Sequence, residues 1–355
     1  MEASLNPPAE QQTLAAAYRQ SVRGRRLLLL LLILAVIASF LVDLTLGASN
    51  LGLMDLLIGL GSPASLTPGE KVILWDMRLP FAVMALLVGA ALGWAGSEIQ
   101  TALNNPLASP FTLGISGAAT LGAATALVLD WGFTGLAQTT LIPLFAFVFA
   151  LGCSLVIQLV ARRFDASIEM LVLFGIALFF TMNALVALLQ FYADADTVQQ
   201  IVFWTLGSVT RANWDKITLI AVLMGLCLPF SIRSLWAMTA LRAGELQARS
   251  LGIDIKRLRL GVLLRVSLLT AVAVAFVGEI GFVGLVGPHI ARLLLGEDHR
   301  FYIPGSALAG ALIMSLASIL SKSLIPGVIL PLGIVTALVG IPLFMALILR
   351  RQKLL

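Results

Sequence analysis

Leu27-Leu28-Leu29-Leu30-Leu31-Leu32-Ile33-Leu34-Ala35-Val36-Ile37-Ala38-Ser39-Phe40-Leu41-Val42 carries no charge and follows directly on Arg25-Arg26. A helix crosses a bilayer with about 20 predominantly apolar residues, and this run with its flanks predicts such a span. Nine more runs of the same kind follow: Phe81–Ser97, Phe111–Leu129, Leu141–Ala161, Met170–Ala193, Ile217–Ile232, Leu260–Val277, Ile280–Ala291, Phe301–Ser321 and Ser323–Leu349. Ile280–Ala291 is short. Gly278 and Gly281 flank Glu279 just before it, which predicts a turn and two separate helices. Backbone in lipid must satisfy its own hydrogen bonds, so these runs read as helices. The short alternating strands of a membrane barrel are absent from the pattern.

Composition agrees. Of 355 residues, 59% are hydrophobic and 12% charged, against about 25% charged in a soluble domain. Mean hydropathy is +1.01. A soluble enzyme, a disordered chain and a secreted scaffold are excluded. The net charge of +5 does not point to nucleic acid, because the basic residues cluster where membrane loops fall. With the N-terminus inside, the 23 Lys and Arg divide into 17 in inside segments, five outside and Arg265 one turn into a span. The five are Lys71, Arg78, Arg211, Lys216 and Lys322. This asymmetry places both termini in the cytoplasm. The Arg25-Arg26 leader could also read as a secretion signal, but the apolar run is long and no small-residue cleavage site follows closely, which favours an uncleaved first helix. Cys153 and Cys227 lie in apolar runs and read as buried thiols without a disulfide. With two His in the chain, no metal site is expected.

Three loops carry information. Leu46–Leu79 is a long outside segment ending in Trp75-Asp76-Met77-Arg78-Leu79-Pro80. Asn104-Asn105-Pro106-Leu107-Ala108-Ser109-Pro110 is a short inside turn whose prolines stop one helix and start the next. Arg233–Arg259 is the longest and most charged inside segment. Within it Leu241, Glu245, Ala248 and Gly252 share a helical face, and Gly252 supplies a stop; this short helix is either a docking element or a passive linker. Gly89, Gly93 and Gly96 in one span, and Gly278, Gly281, Gly284 and Gly287, let helices approach closely. That serves plain packing or helices that slide as a unit. The chain has no G-x-x-x-x-G-K-[ST] phosphate loop. Glu98, Asp130 and Glu279 are placed near span ends, so intramembrane carboxylates of an ion-coupled carrier are scarce. Neither is there a nucleophile–base constellation of an intramembrane enzyme.

Several stretches resemble one family: the membrane subunits of importers for iron–siderophore complexes, haem and vitamin B12, the type II ABC importers. They are Arg78-Leu79-Pro80, Leu87–Leu92, Gln100, Asn105–Pro110, Leu113–Ala118, Trp204–Ser208, Ala248–Gly252, Gly281–Arg292, His299-Arg300, Pro304-Gly305 and Leu330–Ala337. The resemblance runs in order from about Leu74 to the C-terminus. It implies an all-α permease of ten transmembrane helices with both ends cytoplasmic, whose helices two to five and seven to ten are inverted repeats. Its implied partners are two ATP-binding cassette ATPase subunits, a second permease subunit (a copy or a paralogue) and a periplasmic or lipid-anchored substrate-binding protein. No cofactor, no metal and no nucleic acid are implied.

Residue roles follow from the same resemblance. The ATPase surface is expected to grip Leu241, Gly244, Glu245, Ala248, Arg249, Leu251 and Gly252. Arg78 and Lys322 match basic positions that pair with binding-protein glutamates; a third, often just after Leu79-Pro80, is Phe81 here. The cytoplasmic gate maps to Ser167, Ile168 and Glu169. His289, after Pro288, reads as a hydrogen-bonded structural residue and not a ligand. The chain thus divides into a cytoplasmic leader (1–26), a single permease domain (27–349) containing the coupling loop (233–259), and a cytoplasmic tail (350–355). The expectation is a non-enzymatic importer subunit of the bacterial inner membrane, moving an Fe(III)–siderophore complex. Haem and cobalamin are the alternatives within the family, and an ion-coupled secondary carrier is the alternative outside it.

Overall fold

The computed structural model describes residues 9–47, 52–129, 136–164, 167–325 and 327–352. The start of the leader, Asp130 and the tail from Lys353 lie outside the described residues. The helices, in order, are α1 (Ala9–Thr45), α2 (Leu53–Gly61), α3 (Pro68–Lys71), α4 (Leu79–Ala102), α5 (Ile115–Val128), α6 (Gln138–Arg163), α7 (Ile168–Tyr192), α8 (Ala195–Thr205), α9 (Trp214–Ala243), α10 (Glu245–Ser250), α11 (Ile255–Val277), α12 (Val283–Leu295), α13 (His299–Ser323) and α14 (Leu332–Gln352). A π-helical stretch, Val72–Arg78, joins α3 to α4. Among the described residues seven helices are long and apolar enough to cross a membrane, and α5, α12 and the apolar part of α14 are shorter. These ten correspond in order to the ten runs of the sequence.

Local signals set the boundaries. Side chains of Ser167, Asp194, Asn213, Asp254 and Asp298 accept backbone N–H groups at the starts of α7, α8, α9, α11 and α13, each satisfying a donor that the first helical turn leaves open. The turn expected around Glu279 is present: α11 ends at Val277, Gly278 adopts φ +84°, and α12 begins at Val283. Two boundaries differ from the sequence reading. The first helix neither starts at Leu27 nor stops at Val42, but runs 37 residues, about 55 Å at 1.5 Å per residue. It therefore carries Asp43 inside its last turn. The last helix begins at Leu332, so Lys322 belongs to the last turn of α13.

Helix pairing repeats between the halves. α4 packs on α13 as α11 packs on α6; α5 packs on α6 as α12 packs on α13; α5 meets α7 as α12 meets α14. This is the pattern that equates α4–α7 with α11–α14. The α4–α13 contact is the most intimate. A methyl group on Gly89, Gly93 or Gly96 would collide with the backbone of Gly310, Ser306 or Gly284 respectively, so the glycine spacing is accounted for by close approach. α4 and α11 are largely enclosed, whereas α7 leaves most of its surface uncovered.

Candidate functional site

The cytoplasmic loop is built around a kink. α9 ends at Ala243, and Gly244 takes φ +138°, ψ 147°, before α10 starts. That left-handed conformation suits glycine. Gly252, at φ +78°, closes the far end, with Gly252 N donating to Arg249 O and Ile253 N to Ala248 O. The single face expected for Leu241, Glu245, Ala248 and Gly252 is thus divided. Leu241 belongs to α9, and Leu241, Ala248 and Ile255 form a small buried cluster. Ala248 is fully enclosed, which removes it from any contact surface in this arrangement. Outward-facing residues are Leu246, 82% exposed, Gln247, Arg249, Ser250 and Leu251. Leu246 was missed in the sequence, because a 3.6-residue period was carried through Gly244.

α10 is held from one side by charge. Glu245 pairs with Arg259 and, at 3.8 Å, with Arg249. Arg259 Nε also donates to the Ala102 carbonyl at the end of α4, 2.8 Å away. Beside this bridge lies a cleft of about 520 Å³ lined by Arg162, Ser167, Glu169, Glu245, Arg249, Lys256 and Arg259, with Leu103 and Leu263 beneath. Two of the three expected gate residues therefore share one cleft with two of the expected coupling residues. Ile168 occupies the first turn of α7 between Ser167 and Glu169.

A second inner network surrounds the start of α13. Arg242 donates to Asn104 Oδ1 at 2.8 Å and to Glu297 Oε1 at 2.7 Å. Arg292 reaches Glu297 at 3.3 Å and donates to Gln100 Oε1 and Tyr302 Oη. The Arg242 hydrogen bond holds the Glu297 carboxyl below its ordinary range. His299 is fully buried, with Nε2 2.8 Å from Thr101 Oγ1 and Nδ1 3.2 Å from Thr239 Oγ1. The inside turn at Asn104 is thereby tied to the end of α9, immediately before the Gly244 kink.

The outer residues Arg78 and Lys322 are both buried against the end of α1. Arg78 Nη1 donates to the carbonyls of Leu44 and Thr45, at 2.9 and 3.4 Å. Lys322 Nζ pairs with Asp43, whose carboxylate also accepts from Ser318 Oγ. Cations placed at exposed carbonyls of a helix C-terminus are favourable. In this structure both side chains are turned inward onto α1.

One buried polar cluster was not foreseen. Glu98 lies near the end of α4, four residues before Ala102, and is fully buried. It accepts from Arg265 Nε at 2.9 Å, Ser231 Oγ at 2.5 Å and Trp94 Nε1 at 3.1 Å, while Arg265 Nη2 reaches Ser234 Oγ at 3.0 Å. This joins α4, α9 and α11. The signal was an acidic and a basic residue of opposite sign in spans otherwise nearly free of charge.

Interlaced helical halves with a short helix pinned at the cytoplasmic face define a polytopic membrane permease. The model of the FecCD transport family matches residues 31–350, and the chain belongs to that family. It is 35% identical to the vitamin B12 import system permease protein BtuC of Vibrio vulnificus, over 81% of this chain and 86% of that one. It is 34% identical to the hemin transport system permease protein HmuU of Yersinia pestis, over 88% and 94%. The molybdate import system permease protein MolB of Haemophilus influenzae is 32% identical, over 92% and 95%. A solved metal-chelate type ABC transporter in an inward-facing conformation superposes with a TM-score of 0.79 at 30% identity, covering 91% of this chain and 99% of that one. The chain is an ABC importer permease, a multi-pass protein of the inner membrane.

Proposed function

We propose that this permease moves an Fe(III)–siderophore complex inward, driven by two ATPase subunits that bind beneath it. A second permease subunit completes the pathway, and a binding protein delivers the cargo from outside. The observation that supports the drive mechanism is the α10 platform: Leu246, Arg249 and Leu251 project outward from a helix anchored by Ala248 and by the Glu245–Arg259 bridge. A push on α10 is transmitted through Glu245 and Arg249 to the cleft that Ser167 and Glu169 also line. This gives the gate role of Ser167, Ile168 and Glu169 a physical route. The docking role of Arg78 and Lys322 enters in altered form. A binding-protein carboxylate reaches them only by displacing the Leu44 carbonyl or Asp43.

The metal-chelate type of the structural neighbour supports the choice of cargo. The hemin and vitamin B12 permeases among the relatives keep haem and cobalamin as the second reading. Proteoliposomes containing the permease, its ATPase and its binding protein decide between them. ATP-dependent uptake of a ferric siderophore, with hemin, cobalamin and molybdate not accumulated, is the expected result. Accumulation of one of those three instead overturns the siderophore assignment.

A further inference from the structure

A groove runs between the outer halves of α6, α9 and α11 in two contiguous parts, of about 510 and 410 Å³. Its long wall is apolar: Pro143, Leu144 and Phe147 from α6, Leu219 and Leu223 from α9, and Val272 from α11. Lys216 lies in both parts, and Arg211 lines the second. The other polar residues along it are Thr139, Thr140, Asn213, Asp215 and Gln200.

Arg211 is incompletely used. Its Nη2 donates to the carbonyls of Phe203 and Trp204, at 3.0 and 3.3 Å. Its Nη1 is buried and has no hydrogen-bond partner among the described residues. A buried donor without an acceptor is costly, and the cost is greater for a charged group. Burial draws the guanidinium down to about 10, so it remains charged at neutral pH. Lys216 Nζ donates to the Arg211 carbonyl at 2.7 Å, which holds the two cations together.

The surroundings fix the level and the class of ligand. Trp214, two residues before Lys216 at the start of α9, meets Trp75 with ring centroids 6.5 Å apart, and tryptophans are enriched at a membrane–water boundary. Beside the groove Val148, Val222 and Leu226 are all exposed apolar residues. From Lys216 to Leu223 the apolar wall descends about 10 Å along α9, within one leaflet of a ~30 Å core. Arg211 and Lys216 against Asp215 leave one net positive charge at the headgroup level, matching a single phosphodiester anion. A zwitterionic lipid would bring its own cation into that site.

We propose that the groove holds one anionic phospholipid of the outer leaflet, its phosphate on Lys216 beside the Arg211 edge of the groove, and an acyl chain along Leu144, Phe147, Leu219 and Leu223. Cationic donors bind phosphate oxygens strongly, and the chain gains from burial of its methylenes.

The test is native mass spectrometry of the delipidated full chain, titrated with phosphatidylglycerol or with phosphatidylcholine of equal chain length. Retention of phosphatidylglycerol is expected to exceed that of phosphatidylcholine by about fivefold, the scale of one basic residue near an anionic surface. Lys216→Glu, at the headgroup, and Leu219→Trp, which fills the chain channel, are each expected to remove that excess. Inorganic phosphate is expected not to compete. A wild-type ratio near one overturns the proposal, and this comparison needs no variant to fold. Undiminished phosphatidylglycerol retention in both variants also overturns it. Displacement by free phosphate at matched concentration would mark a small-anion site in its place.

Discussion

Lys322 and Asp43, 279 residues apart in the chain, form an ion pair 2.8 Å long whose side chains are 6% and 1% exposed. With Ser318 on the same carboxylate, the pair fastens α1 to α13 near its outer end. Removing one partner of such a buried pair leaves an uncompensated charge, at a cost of about 3–5 kcal/mol. Lys322→Glu is therefore expected to lower thermal stability in detergent, and adding Asp43→Lys is expected to restore most of it. If the double variant is stable but does not bind the binding protein, Lys322 has a docking role as well. If a binding-protein Glu→Lys change rescues Lys322→Glu uptake while Asp43→Lys does not, docking is its principal role.

Glu98 and Arg265 provide a second, independent clamp. Glu98→Gln and Arg265→Met are each expected to destabilise by about 3–5 kcal/mol, and together by less than the sum, because the double change leaves no unpaired buried charge. A double-mutant cycle on unfolding midpoints measures this. Additive losses would show that the two side chains act independently.

The outward face of α10 separates folding from drive. Leu246→Asp lies on an 82% exposed side chain and is expected to leave insertion and stability unchanged while reducing ATPase co-purification and uptake at least about tenfold, a loss of ~1.4 kcal/mol or more. Gly244→Trp and Ala248→Trp act differently. The first forces a bulky residue to φ +138° and the second fills the Leu241–Ile255 contact, so both are expected to disorder the loop, visible as faster proteolysis after Arg242. Normal uptake with Leu246→Asp would exclude this face from the ATPase contact.

The energy source gives a direct prediction. Uptake is expected to continue in an uncoupler while ATP is maintained, and to stop when the catalytic carboxylate of the ATPase partner is neutralised. Transport that follows the proton gradient at constant ATP would favour the secondary carrier.

Glu279 supplies a pH dependence. Burial raises its carboxyl above the usual glutamate value, partly offset by the neighbouring Ser116 hydroxyl, and Oε1 has no hydrogen-bond partner among the described residues. A group whose pKa is raised by folding favours the folded state below its unfolded pKa, and that contribution fades as pH climbs through the folded value. Glu279→Gln is thus expected to match the wild type near pH 4 and to exceed it in thermal stability at pH 8. Equal stability of the two at both pH values would contradict this.

Much of the architecture was legible because it depends on length and polarity. Ten apolar runs became ten apolar helices, the Gly278–Gly281 turn fell where expected, and the glycine spacing became close contacts of α4, Gly89 and Gly93 with α13 and Gly96 with α12. What escaped depends on contacts distant in sequence. Asp43 and Glu98 looked like span boundaries, because a charge ends an apolar run on paper. In the fold each is buried beside a cation that no local pattern assigns to it. Arg78 and Lys322 were expected at helix mouths, but burial on α1 depends on where a different segment ends. The Gly244 kink was visible as a glycine, yet only the backbone shows that it rotates Leu246 outward and Ala248 inward.

The pairing of α4 with α13 has a consequence for synthesis. Each half lends its first helix to the other half, so the earliest buried helix has its closest neighbour near the end of the chain. About 200 residues separate Ala102 from His299, which at ~5–20 residues per second leaves α4 waiting about 10–40 s for α13. During that interval its glycine-lined face and Glu98 are presented to lipid, to the insertion machinery and to quality-control proteases. Chains halted before α13 are expected to be degraded faster than chains halted after it in a pulse–chase experiment. The tight seam that gives the finished permease its rigidity is, for the nascent chain, its longest period of exposure.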